Sequence, residues 1–155
     1  MKTILVLDDS RVYRHALVQL FKKLNFNVLD ADNGLTGKEL FQKHSIDLAF
    51  IDIVMPKLDG FALCRWVKAN PKTQQIPIIF CSSKDQATDK YWAFKQGGDY
   101  FMSKPMTATD IIRAVETYLP SPIPLHPKGL THKPQKKMLH QRTSDPAIKH
   151  PLSSI

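Results

Sequence analysis

Five residues of this 155-residue chain have types and positions that point to chemistry: Asp8, Asp9, Asp52, Ser82 and Lys104. Asp8 and Asp9 directly follow the apolar run Thr3 to Leu7, and Asp52 directly follows Asp47 to Ile51. If those runs are neighbouring strands, three carboxylates converge on one crevice. Two like charges about 4 Å apart at an effective dielectric near 20 repel by roughly 4 kcal/mol, so such a crevice needs a compensating cation. Oxygen donors without clustered His or Cys favour a hard ion. A partial carboxylate set that leaves room for water and phosphate suits Mg²⁺ better than Ca²⁺. Ser82, after Pro77 to Cys81, and Lys104, just beyond Tyr100 to Met102, would add a hydroxyl and an ammonium, completing a site for a phosphoryl group. In the blander reading Asp8 and Asp9 only cap a helix while Asp52 faces solvent.

The elements that must position these residues are visible as alternating periods. Short β-branched or apolar runs at Thr3 to Leu7, Asn27 to Ala31, Asp47 to Ile51, Pro77 to Cys81 and Tyr100 to Met102 alternate with helical segments. That alternation predicts repeated βα units, an α/β fold with a five-stranded parallel sheet. Runs one, three and four are almost wholly apolar, as expected of strands covered on both faces, whereas the more polar second run belongs at an edge. Val12, Ala16, Leu17, Leu20, Phe21 and Leu24 form a stripe for the first helix, which Asp9 or Ser10 caps. Further helices are expected over Leu35 to Lys43, Asp59 to Ala69, Gln86 to Lys95 and Thr107 to Leu119, with Pro120 ending the fold. Right-handed crossovers then allow the strand order 2-1-3-4-5, a flavodoxin-like three-layer sandwich whose switch point lies between strands one and three, where Asp8, Asp9 and Asp52 emerge.

Composition narrows the function classes. No stretch approaches the roughly 18 to 20 apolar residues of a membrane helix, so a cytoplasmic protein without membrane insertion is expected. Cys64 and Cys81 sit in apolar segments without CxxC spacing and read as buried reduced thiols. The formal charge is +8, but residues 1–120 contribute only 16 basic against 13 acidic residues, while residues 121–155 carry 6 against 1. That last segment also has six prolines and four histidines (His126, His132, His140 and His150), with no apolar period. It is expected to be a disordered basic tail following a folded domain at 1–120. The tail is too short for a DNA-reading module, so only weak, nonspecific nucleic-acid binding is open to it. The irregular histidine spacing argues against a metal site there. Flavin binding, which shares this strand order, would need a phosphate loop where Asp8-Asp9-Ser10 stands.

Residues 1 to about 119 resemble the receiver domain of bacterial two-component response regulators, the CheY-like family. The matching pieces are Ile4-Leu5-Val6-Leu7-Asp8-Asp9-Ser10, Asp52-Ile53-Val54-Met55-Pro56 with Asp59-Gly60, Ile76-Pro77-Ile78-Ile79-Phe80-Cys81-Ser82-Ser83, and Ser103-Lys104-Pro105. The resemblance implies that Asp52 is the phosphoacceptor. Asp8 and Asp9 would organise Mg²⁺, with the Val54 backbone carbonyl as a further ligand. Ser82 would be the hydroxyl switch and Lys104 the phosphate-binding cation. Three residues before Lys104 stands Phe101, where many relatives have tyrosine; it would be the aromatic that turns inward, or else plain core. Lys104-Pro105 is expected to be cis, or Pro105 simply begins the last helix.

The donor would be a histidine kinase or phosphotransfer protein, and the output a protein target at the face of helix four, strand five and helix five. Such a chain is a signalling domain that assists its own phosphorylation and dephosphorylation rather than an enzyme. Ser83 to Trp92 with Gln96-Gly97 further resembles the stand-alone, PilH-like regulators of type IV pilus chemosensory systems, which implies a role in twitching motility or taxis. Alternatives are a phosphorylation-independent scaffold and nucleic-acid binding through the tail.

Overall fold

The computed structural model describes residues 1–120; the tail expected beyond Pro120 lies outside the described residues. Five strands, β1 (Thr3–Leu7), β2 (Asn27–Ala31), β3 (Leu48–Ile51), β4 (Ile78–Ser82) and β5 (Tyr100–Ser103), alternate with α1 (Arg11–Lys23), α2 (Gly34–Lys43), α3 (Gly60–Ala69), α4 (Ala87–Lys95) and α5 (Ala108–Tyr118). All strand pairs are parallel and the order is β2-β1-β3-β4-β5. The polar strand β2 is at an edge, as its composition predicts.

Side-chain alternation splits the core into two layers. Leu5, Leu7, Ile51, Phe80 and Phe101 point to the face that meets Phe41 of α2, Leu63 and Val67 of α3, and Ala93 of α4. Ile4, Val6, Phe50, Ile79 and Met102 point to the other, against Leu17 and Phe21 of α1 and Ile111 and Val115 of α5. Central strands apolar on both faces are what a parallel sheet between helix layers requires. Burying one such aliphatic or aromatic side chain contributes about 1.5–3 kcal/mol, so the β1 and β3 runs that carry Asp8 and Asp52 are firm anchors.

Helix starts follow local chemistry. Asn33, Asp59 and Thr107 accept the backbone N–H groups of Thr36, Ala62 and Asp110 at 2.9, 2.8 and 3.1 Å. Ser10 rather than Asp9 caps α1, accepting from the Tyr13 N–H at 3.4 Å. Two expectations shift. Val12 is 78% exposed and Ala16 is exposed, so the buried stripe of α1 is Leu17, Val18 and Phe21; the first turn instead turns Tyr13 and Arg14 toward the site and leaves Val12 to solvent. Strand β4 runs one residue later than the apolar run indicates, because Pro77 has no N–H to give the ladder and Ser82 pairs with Ser103.

The two ends of the sheet are built differently. At the N-terminal end of β4 and β5, Lys68 Nζ donates to the Ile76 carbonyl at 2.7 Å and to Asp99 Oδ2 at 2.9 Å. The same Asp99 oxygen accepts the Ile78 N–H at 2.8 Å, and the Tyr118 hydroxyl donates to the Asp99 carbonyl at 2.9 Å. Turns dominate the other end. Lys57 holds a φ of 70°, a left-handed conformation unfavourable for a side chain with a Cβ. The Gly60 N–H donates to the Ile53 carbonyl at 2.8 Å, bringing the start of α3 against the end of β3.

At Gly60 a Cβ would stand 2.2 Å from the Asp52 carbonyl oxygen, a backbone atom with no rotamer to escape through. Gly60→Ala is therefore expected to destabilise the fold by about 1–3 kcal/mol in urea unfolding, the range typical of forced overpacking. A loss under about 0.5 kcal/mol, the size of an ordinary surface substitution, would mean that α3 can pull away from β3 at little cost.

Candidate functional site

Parallel pairing in this order brings the C-terminal ends of β1 and β3 side by side, and the carboxylates leave from there. Asp8 and Asp52 are held at their backbones, the Asp8 N–H donating to Ala31 at 3.2 Å and the Asp52 N–H to Leu7 at 2.9 Å. Carboxylate oxygens of Asp8, Asp9 and Asp52 all lie within 4.8 Å of one another. Asp8 and Asp52 are buried, 1% and 7% exposed, while Asp9 is exposed. Burial costs each ionised carboxylate its hydration, so the cluster needs compensating partners.

Lys104 supplies the nearest. Its backbone N–H donates to the Ser82 carbonyl at 3.0 Å, and the following Lys104-Pro105 bond is cis. The ammonium lies 2.7 Å from Asp8 Oδ2 and 3.2 Å from Asp52 Oδ2, with 7% of the side chain exposed. Burial alone would lower the Lys104 pKa, but the paired carboxylates outweigh it and hold it above its ordinary value. Burial pushes the Asp52 carboxyl up; Lys104 opposes that push and Asp8 adds to it. The Lys104 charge thus only partly offsets the burial of Asp52 and the repulsion from Asp8.

Donor chemistry fits a hard cation. Asp8 Oδ1 accepts the Ser10 N–H at 2.8 Å, whereas Asp8 Oδ2, though close to Lys104, is buried with no partner in hydrogen-bond geometry. Such an oxygen beside two further carboxylates, with Asp9 open to solvent, is an oxygen-donor set that could hold a hard cation.

The remaining sequence candidates occupy distinct positions. Ser82 ends β4, 1% exposed, its Oγ accepting the Lys84 N–H at 3.1 Å. Val54 turns a half-exposed side chain outward, two residues beyond Asp52. Phe101 belongs to the core layer shared with Ala93 of α4 rather than to the acidic cluster, and the Lys90 ammonium lies 6.0 Å from its ring centroid. The inward packing of this ring is the conformation present here. Both thiols are buried and free; burial pushes that of Cys64 up to about 12 and that of Cys81 up as well, so neither competes as nucleophile or ligand.

Two neighbours escaped the sequence reading. Arg14 donates from Nη1 to the Asp8 carbonyl at 2.7 Å and from Nε to Asp30 Oδ2 at 3.1 Å, tying the turn after β1 to the end of β2. The Tyr13 ring lies beside Lys104, 4.4 Å from centroid to Nζ. Their signal was positional: both stand in the first turn of the helix that follows Asp8 and Asp9.

Residues 4–116 match the family model of the response regulator receiver domain. Among curated proteins, Protein PilH of Pseudomonas aeruginosa is 34% identical over 119 residues, 77% of this chain and 98% of that protein. Protein PilG of the same organism is 31% identical over 122 residues, 79% and 90% of the two chains. Among solved structures, the receiver domain of a Pseudomonas aeruginosa sensor histidine kinase, with a magnesium ion coordinated in its active site cleft, matches with a TM-score of 0.72. That match covers 77% of this chain and 98% of the other at 20% identity, which speaks for the fold.

The raised Asp52 carboxyl makes a signed prediction for the metal-free protein. The folded state holds this proton more tightly than the unfolded chain does. The associated stability is therefore complete below the ordinary carboxylate pKa and is lost as pH rises through the raised one. With a chelator present, Asp52→Asn should exceed the wild type in stability at neutral pH, and the gap should close as pH falls toward the ordinary carboxylate range. Urea midpoints across that range check this; a gap independent of pH would trace the effect to packing instead.

Proposed function

The chain belongs to the response regulator receiver domain family of two-component signalling, and from that premise we propose that Asp52 accepts a phosphoryl group from a phosphohistidine donor. The observation that carries this reading is the convergence of Asp8, Asp9 and Asp52 within 4.8 Å, with the Lys104 ammonium against two of them. Asp8, Asp9, Asp52 and the Val54 carbonyl would hold Mg²⁺. When bound, the ion neutralises charge on the phosphoryl oxygens and on the acidic cluster. The magnesium described for the sensor kinase receiver domain supports that assignment.

In the reaction an Asp52 carboxylate oxygen bonds to phosphorus while the P–N bond to the donor imidazole breaks, leaving an acyl phosphate. Its Oδ2 is the oxygen nearest Lys104, so the ammonium is placed to pair with equatorial oxygens as charge gathers there. Burial favours the step, because a fixed cation in a water-poor crevice needs little reorganisation. Water regains access beside the exposed Val54 side chain, which gives a route for slow hydrolysis back to the free carboxylate.

The new phosphoryl oxygens would then draw the Ser82 hydroxyl away from the Lys84 N–H. Lys84 begins the segment leading to α4, so the loop would follow, altering the packing of Phe101 and the face formed by α4, β5 and α5. Trp92 is 47% exposed on α4 and offers a reading partner an aromatic contact. No described helix is long and apolar enough to cross a membrane; a cytoplasmic switch between a histidine kinase or phosphotransfer protein and a downstream protein suits this geometry. Similarity to PilH and PilG supports a pathway of the type IV pilus chemosensory kind.

Incubation with Mg²⁺ and acetyl phosphate or phosphoramidate should add one phosphoryl mass, about 80 Da, to the intact protein. Asp52→Ala and a chelated control should stay at their starting mass. An unmodified wild type that also ignores beryllofluoride would instead favour a phosphorylation-independent scaffold.

A further inference from the structure

Lys104 is held from three sides, and two of those holds are the groups that the proposed reaction changes. Its ammonium touches Asp8 Oδ2 at 2.7 Å and Asp52 Oδ2 at 3.2 Å. The third side is the Tyr13 ring, whose centroid stands 4.4 Å from Nζ, well inside the range of a cation–π contact. Tyr13 is half-buried in the first turn of α1, and its backbone N–H is tied to the cap Ser10 at 3.4 Å, so the ring rises from a fixed turn.

Phosphorylation of Asp52 converts a charged carboxylate into an acyl phosphate, a mixed anhydride, and moves the negative charge outward onto the phosphoryl oxygens. A divalent cation among Asp8, Asp9 and Asp52 competes for the same carboxylate oxygens and repels the ammonium. Both events weaken the anionic holds on a side chain with four flexible carbons, and neither changes an uncharged ring. We propose that Tyr13 is a positioning residue for Lys104: its π face keeps the ammonium inside the crevice while Asp8 and Asp52 exchange partners. The inference rests on the reading of Asp52 as phosphoacceptor and adds a residue that no aspect of that reading requires.

Tyr13→Phe, which keeps the ring, and Tyr13→Leu, which keeps apolar bulk without a π face, separate this role from simple packing. Tyr13→Phe should label with acetyl phosphate within about twofold of the wild type. Tyr13→Leu should lose roughly 3- to 30-fold in maximal labelling rate, the span expected of a partly desolvated cation–π contact. Half-saturation by Mg²⁺ should be unchanged, since the carboxylates stay in place.

The NMR signals of the Lys104 ε-methylene provide a readout independent of activity. They should carry a ring-current shift in the wild type and in Tyr13→Phe, and lose it in Tyr13→Leu. If Tyr13→Leu does not fold, mono-, di- and trifluorinated phenylalanines at position 13 keep the shape while draining the π face, and the labelling rate should fall in that order. Equal rates across the series, equal loss in Tyr13→Phe and Tyr13→Leu, or no ring-current shift in the wild type would each overturn the inference. A wild type that takes up no phosphoryl group would instead remove the premise about Asp52, a result distinct from a labelled wild type indifferent to residue 13.

Discussion

Mutual repulsion among Asp8, Asp9 and Asp52 is the constraint around which the rest of this domain is arranged. Each charge pair at such separations costs on the order of a few kcal/mol, comparable to a large share of the net stability of a domain this size. The fold therefore spends much of its architecture on holding charges where they would not gather unaided. The buried strands β1 and β3 fix two origins of charge; β5 returns from the far side of β4 to deliver the counter-ion Lys104. The Lys104 ammonium pairs with Asp8 and Asp52 while Asp9 stays open to solvent, so the acidic cluster keeps more negative charge than this one partner balances.

Much of this was legible in the sequence because a parallel sheet imposes strong rules. Unbroken apolar runs such as Ile4 to Leu7 and Leu48 to Ile51 have few alternatives to a strand covered on both faces, and the right-handed crossover then leaves little freedom in strand order. A residue directly after such a run emerges at the sheet's carboxyl end, which is why Asp8 and Asp52 could be placed on one crevice from spacing alone. The family resemblance added roles for Val54 and Phe101 that spacing could not supply.

What escaped depended on the direction of a side chain. Val12 belongs to the apolar periodicity of α1 yet faces water, because the first turn presents Tyr13 and Arg14 to its neighbours instead. Arg14 reads as an ordinary surface charge until the turn after β1 puts the Asp8 carbonyl 2.7 Å from its guanidinium. Gly60 could be taken for a simple helix start, whereas the clash a Cβ would make with the Asp52 carbonyl shows that it is a close approach of two backbones. In each case the deciding contact depends on how the chain turns after a strand or at a helix start, which hydrophobic periodicity does not carry.

The bonds around Asp99 have a mechanical meaning. Strand β5 is clamped at its root, through Asp99, by Lys68, Ile78 and Tyr118, is paired with β4 from Tyr100 to Ser103, and bears Lys104 just past its tip, where the Lys104 N–H donates to the Ser82 carbonyl. It is therefore a beam fastened at root, edge and tip, a stiff rod that sets how far the Lys104 ammonium reaches and holds Phe101 against α4.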